Sequence, residues 1–324
     1  MFDYPIKVPV AFLIFNRPDT TERVFEAIRQ AKPPKLLVVA DGPRADKPGE
    51  VEKCAAARAV IDRVDWECEI MKNYADANMG CGQRVSSGLD WVFNTVERAI
   101  ILEDDCLPHP TFFRFCEEML EMYGDDERIL MISGTNMLGE WKSNIQSYHF
   151  SYYGGIWGWA SWRRAWKYYD INMSLWSEPE IKARIRDVLA DRKQYESSKK
   201  LFDNASKIDT WDYPWRFARL VQSGLSIVPS VNLVSNIGFR EDATHTKTKA
   251  NSSELAEIKT VEFKFPIKSN EFTVVDRDFD RLVFEKDTKS NLLSRIKNKI
   301  KNLIYDFINW INTKNKIKIN YSNF

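Results

Sequence analysis

The sequence predicts an α/β fold, a mostly parallel sheet flanked by helices. Three observations lead there. Residues 8–15 (VPVAFLIF), 35–40 (KLLVVA) and 98–102 (RAIIL) are apolar runs without polar alternation, as expected of strands buried on both faces. Segments of helical spacing lie between them. Each run ends in a polar loop, at Asn16-Arg17, Asp41-Gly42 and Glu103-Asp104-Asp105. If these strands are parallel, the three loops gather on one sheet edge, where open α/β sheets bind ligands.

Taken in order, residues 8–15 form the first strand, and Asn16-Arg17-Pro18 ends it. Asp19 and Glu22 have the spacing of a capping box, and Val24, Phe25, Ile28 and Ala31 give a helical stripe. Pro33-Pro34 stops that helix before the second strand, 35–40. Residues 44–65 are polar and partly helical, and 67–73 is a candidate third strand. The loop Asn78-Met79-Gly80-Cys81-Gly82 leads into a helix from Arg84, with Val85, Leu89, Val92, Phe93 and Val96 on one side. The strand 98–102 runs straight into the three acids. A helix near 110–123 and a strand at 129–133 follow. The second half is less regular. It holds an aromatic segment at 152–166, a charged helical stretch around 178–207, the segment DTWDYPWRF at 209–217, and a candidate strand within 226–236.

The chain has 324 residues, 44% hydrophobic and 13% aromatic, enough for a sizeable core. Its 47 basic and 46 acidic residues nearly cancel, which argues against a dedicated nucleic-acid binder. Residues 286–324 carry nine Lys/Arg and two acids, so the preceding residues are net acidic. The five cysteines, an odd number without zinc-site spacing, fit a reduced, cytoplasmic protein. The N-terminus has no signal-peptide pattern, and no run approaches the ~18 apolar residues of a spanning helix.

Three acids at the tip of a buried strand suit a hard divalent cation, Mn²⁺ or Mg²⁺, whose open positions take phosphate oxygens. Alternation along the strand gives adjacent side chains different targets. The competing reading is a solvated turn. Here an apolar strand precedes the acids and Cys106-Leu107-Pro108 follows, so they do not lie in a polar linker.

FNRPDTTERVFEAI (15–28), VVADGPR (38–44), NMGCGQRVSSGLDWVF (78–93), AIILEDDCLPHPTFFRF (99–115) and MISGTN (131–136) form an ordered set of segments. GGIWGWASWRRAW (154–166), TWDYPWRF (210–217) and SNIGFREDATHT (235–246) continue it. In these segments the chain resembles glycosyltransferases of the GT-A fold, in particular the inverting family of protein N-acetylglucosaminyltransferase I and related bacterial enzymes. The resemblance implies a Rossmann-like GT-A domain over residues 1–275, with a donor half to about 136 and an acceptor half beyond it. It implies a UDP-sugar donor, by analogy UDP-N-acetylglucosamine, and a glycan or lipid-linked glycan acceptor. It places Asp105 on the metal, Glu103 on the donor sugar, Asp104 on the ribose and Asp41 in the uracil and ribose pocket. Asp212 corresponds to the catalytic base, and His245 lies in a late loop over the donor. The family's eukaryotic member has an N-terminal membrane anchor that is not seen here, which puts a protein-linked glycan acceptor in doubt.

Inverting transfer needs a base to deprotonate the acceptor hydroxyl. Asp212 sits among Trp211, Tyr213, Pro214 and Trp215, an apolar setting that favours such a role. The alternatives are a helix cap at Asp212 before Pro214, and Asp209 as the base. Arg17 and Arg44 follow strand ends and suit phosphate oxygens, beside Asn16. Trp157 or Trp159 could stack on a sugar, whereas Trp162 and Trp166, four apart, read as core.

Residues 286–324 show Leu292, Leu293, Ile296, Ile300, Leu303, Ile304, Phe307, Ile308 and Ile311 at helical spacing, with lysines between. A basic amphipathic helix of this kind lies on an anionic membrane surface, which would make the protein peripheral on the cytoplasmic face. The competing reading docks it on the body or a partner. Two other functions fit a related architecture: a nucleotidyltransferase making nucleotide sugars, and a non-catalytic sugar-binding protein. The first usually has a longer glycine-rich loop after its first strand, unlike Asn16-Arg17-Pro18.

Overall fold

The computed structural model describes residues 4–239 and 258–289. The first half alternates strand and helix: β1 (Val10–Ile14), α1 (Pro18–Ala31), β2 (Lys35–Ala40), α2 (Glu50–Ala59), β3 (Glu69–Tyr74), α3 (Cys81–Thr95) and β4 (Arg98–Glu103). Next come β5 (Cys106–Pro108), α4 (Thr111–Met122), β6 (Ile129–Ser133), β7 (Tyr148–Ser151), β8 (Trp159–Trp162) and α5 (Arg163–Trp166). The chain continues through α6 (Pro179–Leu189), α7 (Arg192–Asn204), α8 (Asp212–Val221), β9 (Leu225–Pro229) and β10 (Val234–Asn236). A last helix, α9, occupies residues 277–289.

Eight strands form one sheet in the order β3-β2-β1-β4-β8-β6-β9-β7. β1 pairs in parallel with both β2 and β4, and β2 with β3. β8 is inserted antiparallel between β4 and β6, β6 and β9 are parallel, and β7 closes the edge antiparallel to β9. The fold is therefore α/β with a mostly parallel sheet, consistent with a Rossmann-like GT-A arrangement. The chain leaves β1 toward β2 on one side and returns to β4 on the other. That reversal is the switch point at which such sheets open a crevice.

The apolar runs are continuous because both sheet faces are covered. Val10, Phe12 and Ile14 of β1 pack with α1 and α4 through Val24, Phe25, Phe112 and Phe115. Ala11 and Leu13 pack on the opposite face with Leu89 and Phe93 of α3 and Trp166 and Trp215. Trp176, Phe202, Phe217 and Leu220 form a separate cluster that seats α6 and α7 on α8. Phe279 and Val283 of α9 pack on Val228 of β9, so residues just past 275 are bound to the body.

The capping box expected at Asp19 and Glu22 does not form. α1 begins at Pro18 with Arg17 as its N-cap residue and no side-chain cap. Proline at the first position already lacks an N–H to satisfy. Asp19 lies in the first turn, and Glu22 pairs with Arg63 at 2.6 Å. The strand sought within 226–236 is two strands, with β10 pairing antiparallel to β5.

Candidate active site

β1, β2 and β4 deliver their polar ends to one edge, where a cleft of about 500 Å³ opens. Its lining includes Arg17, Asp41, Arg44, Arg84, Glu103, Asp104, Asp105, Trp157, Asp209 and Asp212. Each reaches it for a local reason.

Glu103 is the last residue of β4, level with Leu13 of β1. Among the described residues its side chain makes no hydrogen bond or ion pair. Burial raises its pKa first, then the Asp105 and Asp104 charges, with Arg17 opposing. Asp104 turns inward and is 2% exposed. It accepts from the Phe15 N–H at 3.1 Å and from Arg17 at 2.5 Å, so it fastens the end of β1 to that of β4. Arg17 also pairs with Asp105 at 3.0 Å. Burial works against the Arg17 charge, but Asp104 and Asp105 outweigh it and hold its pKa above the ordinary value.

The β5–β10 ribbon covers this pair. Ile237 donates its N–H to the Asp105 carbonyl at 2.8 Å, and a Cβ on Gly238 would collide with Asp105 and Arg17. Only a glycine lets the backbone lie this close. Beyond it, Phe239 meets Trp157 in a T-shaped contact, with ring centroids 5.5 Å apart.

Asp41, at the end of β2, is 7% exposed and largely occupied. It accepts from the Gly42 N–H at 2.8 Å, the Met79 N–H at 2.9 Å and the Asn78 amide at 2.8 Å. Its pKa is raised by burial, against those backbone donors. Asn16 and Arg44 meet at Glu50, a residue that the sequence pattern did not single out. Asn16 donates to it at 2.8 Å and Arg44 at 2.5 Å. Arg44's hydrogen bonds pull the Glu50 pKa down to about 2. Arg84, also missed, is buried and donates to the carbonyls of Ala40 and Asn73. A cation at the start of a helical pattern carries no mark of burial in the sequence.

Two acids come from the opposite wall. Asp209 accepts from the N–H groups of Cys81 at 2.8 Å and Gly82 at 2.7 Å, so it caps α3 from a distant loop. Gly80 has φ +82°, and a Cβ there would lie 2.6 Å from Asp209. Asp212 is the first residue of α8, and its side chain caps nothing. It accepts from the Thr210 hydroxyl instead.

A second chamber of about 660 Å³ adjoins the cleft, and Ile156, Trp157 and Asp212 line both. Asp212 thus stands at the junction. Trp159 is 1% exposed and stacks on Trp211 in the core, and Trp162 and Trp166 are 4% exposed. Trp157 alone of these four tryptophans lines the cleft. His245 lies outside the described residues.

Among the described residues, no three His, Cys, Asp or Glu side chains converge to enclose a cation with protein alone. Asp105 offers one hard oxygen donor of the kind Mg²⁺ and Mn²⁺ prefer when phosphates complete the shell. The residues present therefore fit a cation shared with a bound phosphate.

No family model matches this chain, and a search of curated proteins finds no match. Among solved structures, it is similar to apo UDP-glucose pyrophosphorylase at 10% identity and TM-score 0.32, covering 70% of this chain and 93% of that one. It is similar to the UDP-glucose complex of UDP-glucose pyrophosphorylase at 11% identity and TM-score 0.33, covering 70% and 92%. It is similar to apo mouse xyloside xylosyltransferase 1 at 9% identity and TM-score 0.33, covering 66% and 81%. Likeness at this level decides no activity. Among the described residues no helix is long and apolar enough to cross a membrane.

Proposed function

We propose that this chain is an inverting glycosyltransferase that moves a sugar from a nucleotide donor, a UDP-sugar, to a glycan or lipid-linked glycan, with Mn²⁺ or Mg²⁺. The single observation that carries the reading is the position of Asp212. It lies between a cleft at the sheet's switch point and a separate chamber large enough for an acceptor.

The cleft's charge supports the metal. Six acids line it, Asp41, Glu103, Asp104, Asp105, Asp209 and Asp212, against Arg17, Arg44 and Arg84. A diphosphate entering such a site is repelled unless it brings cations. When bound through Asp105, the divalent ion would neutralise the charge that builds on the departing diphosphate. Arg17 holds Asp104 and Asp105 in place. Glu103, whose side chain has no partner among the described residues, is available to donor hydroxyls. Trp157 offers its face at the junction. The Thr210 hydroxyl donates to one oxygen of Asp212 and orients the carboxylate. The other oxygen is left to accept the proton of the attacking acceptor hydroxyl.

The experiment is a panel of nucleotide sugars tested for Mn²⁺-dependent hydrolysis and transfer, with Asp212→Asn alongside. The variant should lose about 10²–10⁴-fold in turnover, the usual worth of a general base, while UDP binding persists. EDTA should abolish UDP binding to both proteins. Near-normal turnover in the variant, or UDP binding indifferent to metal, would sink the reading.

A further inference from the structure

The chamber beside Asp212 has the opposite charge from the cleft. Lys200, Arg216, Arg219 and Lys286 line it, against Asp212 and Asp287. Two of these cations are unusual. Arg219 is 3% exposed, yet no carboxylate lies within ion-pair distance of it among the described residues. It donates to the Ser226 hydroxyl and lies over the Trp215 ring, 5.8 Å from the centroid, while its Nε has no partner. Arg216, three residues along the same face of α8, donates to the Ser198 hydroxyl at 3.1 Å and lies 4.8 Å from the Tyr153 centroid. Its Nε is also buried and unpartnered. Among the described residues no acid within ion-pair distance balances it either.

Burying an unpaired guanidinium is costly, and two close together repel. Burial, and then the Arg216 charge, push the Arg219 pKa down to about 9, with Asp212 opposing. A protein gains nothing in stability from such a pair of cations. Two fixed forks of N–H donors facing a cavity do match a planar carboxylate or a phosphate. The cavity also opens on the proposed base.

We propose that the chamber binds an oxyanion on the acceptor, so that the acceptor is an acidic glycan, bearing either a carboxylate or a phosphate, held by Arg216 and Arg219. This rests on the reading of Asp212 as the group that faces the acceptor. The bound anion would neutralise the arginines, and the hydroxyl to be glycosylated would lie on the Asp212 side of the chamber. A neutral sugar would leave both guanidiniums unpaired and bind weakly, which makes the pair a specificity device.

The test is direct binding to the full-length protein, with UDP and Mn²⁺ present to fill the cleft. Glucose 1-phosphate, glucuronate and uncharged glucose are titrated by calorimetry. The wild type should bind at least one anion and discriminate against glucose by about tenfold or more, the worth of one charge-assisted hydrogen bond. Preference for glucose 1-phosphate assigns a phosphate-bearing acceptor, and preference for glucuronate an acidic sugar. Arg216→Gln, at a half-buried position, should weaken anion binding by about tenfold or more. Arg219→Met should abolish it and also remove the heat stabilisation that millimolar anion gives the wild type. Equal binding of glucose and both anions, or an Arg216→Gln protein that binds them like the wild type, overturns the proposal. UDP that fails to bind while the anions do would count against the donor reading and leave the anion site standing.

Discussion

Asp209 and Asp212 are three residues apart at the start of α8, and either could have been the base on sequence grounds. Their hydrogen bonds separate them. Both Asp209 oxygens are taken by the N–H groups that open α3, at 2.7 and 2.8 Å. Among the described residues Asp212 has one donor, Thr210, and it faces two cavities. Asp209 is therefore a cap, and its loss should be read in stability. Asp209→Ala should cost about 0.5–2 kcal/mol in chemical denaturation, the range for a lost helix cap, whereas Asp209→Asn keeps an accepting oxygen and should cost less. Turnover in Asp209→Asn should stay near wild type. A collapse of turnover without loss of stability would return Asp209 to candidacy as base. The cap could not be read from the sequence, because its partners are 127 and 128 residues away. The glycines were visible, but the carboxylate that requires them was not. Similarly, the acids at the end of β4 were legible as a group. What each acid pairs with was not, since it depends on Arg17 reaching across from β1 to Asp104 and Asp105.

At the scale of elements, the strands with both faces covered were easiest to read. β1, β2 and β4 present unbroken apolar runs. β7 did not announce itself, because an edge strand with sequence YHFS lacks that signature. It is held from outside by α9, where Asp280 accepts from the Ser151 hydroxyl at 2.5 Å and Phe279 packs on His149, with ring centroids 4.2 Å apart. His149 is 2% exposed, and neither ring nitrogen has a partner among the described residues. Burial lowers its pKa to about 4, with Asp276 opposing and Lys142 assisting. A histidine with a depressed folded pKa gives stability that is complete above its unfolded value of 6.5. That stability is lost as pH falls toward 4, by about 3 kcal/mol at most. Asp280 runs the other way. Burial pushes it up to about 6, so its contribution is complete below 3.8 and is lost as pH rises through 6. In a comparison of wild type with His149→Leu the Asp280 term is common to both. The variant should therefore lose less stability than the wild type between pH 7 and pH 4.5, measured by urea unfolding. Equal losses would show that the imidazole finds a proton-accepting partner in solution.

Over the whole molecule, charge is sorted by location. The cleft at the strand ends is acid-rich, the adjoining chamber is cation-rich, and Asp212 stands between them. The near-zero net charge conceals this sorting, and so did the sequence, because Arg216 and Arg219 look like ordinary residues of an amphipathic helix until the helix is placed. The remaining block of charge is the basic end of the chain. Residues 290–324 carry seven Lys/Arg and one acid, interleaved with apolar residues at helical spacing, and lie outside the described residues. α9 leads directly into them and is itself fixed to the body, with Lys286 donating to the Met137 carbonyl at 2.8 Å. A deletion that spares α9 therefore separates the tail from the chamber wall. If the tail holds the protein on an anionic membrane, each basic residue near the surface contributes about 1 kcal/mol, which salt weakens. The protein ending at residue 289 should lose its sedimentation with vesicles containing phosphatidylglycerol yet retain UDP binding. The full-length chain should bind those vesicles, release them as salt is raised, and ignore purely zwitterionic ones. Equal sedimentation of the two proteins would refute the membrane role and favour a tail docked on a protein surface, because only the lipid interaction requires both the basic residues and an anionic headgroup.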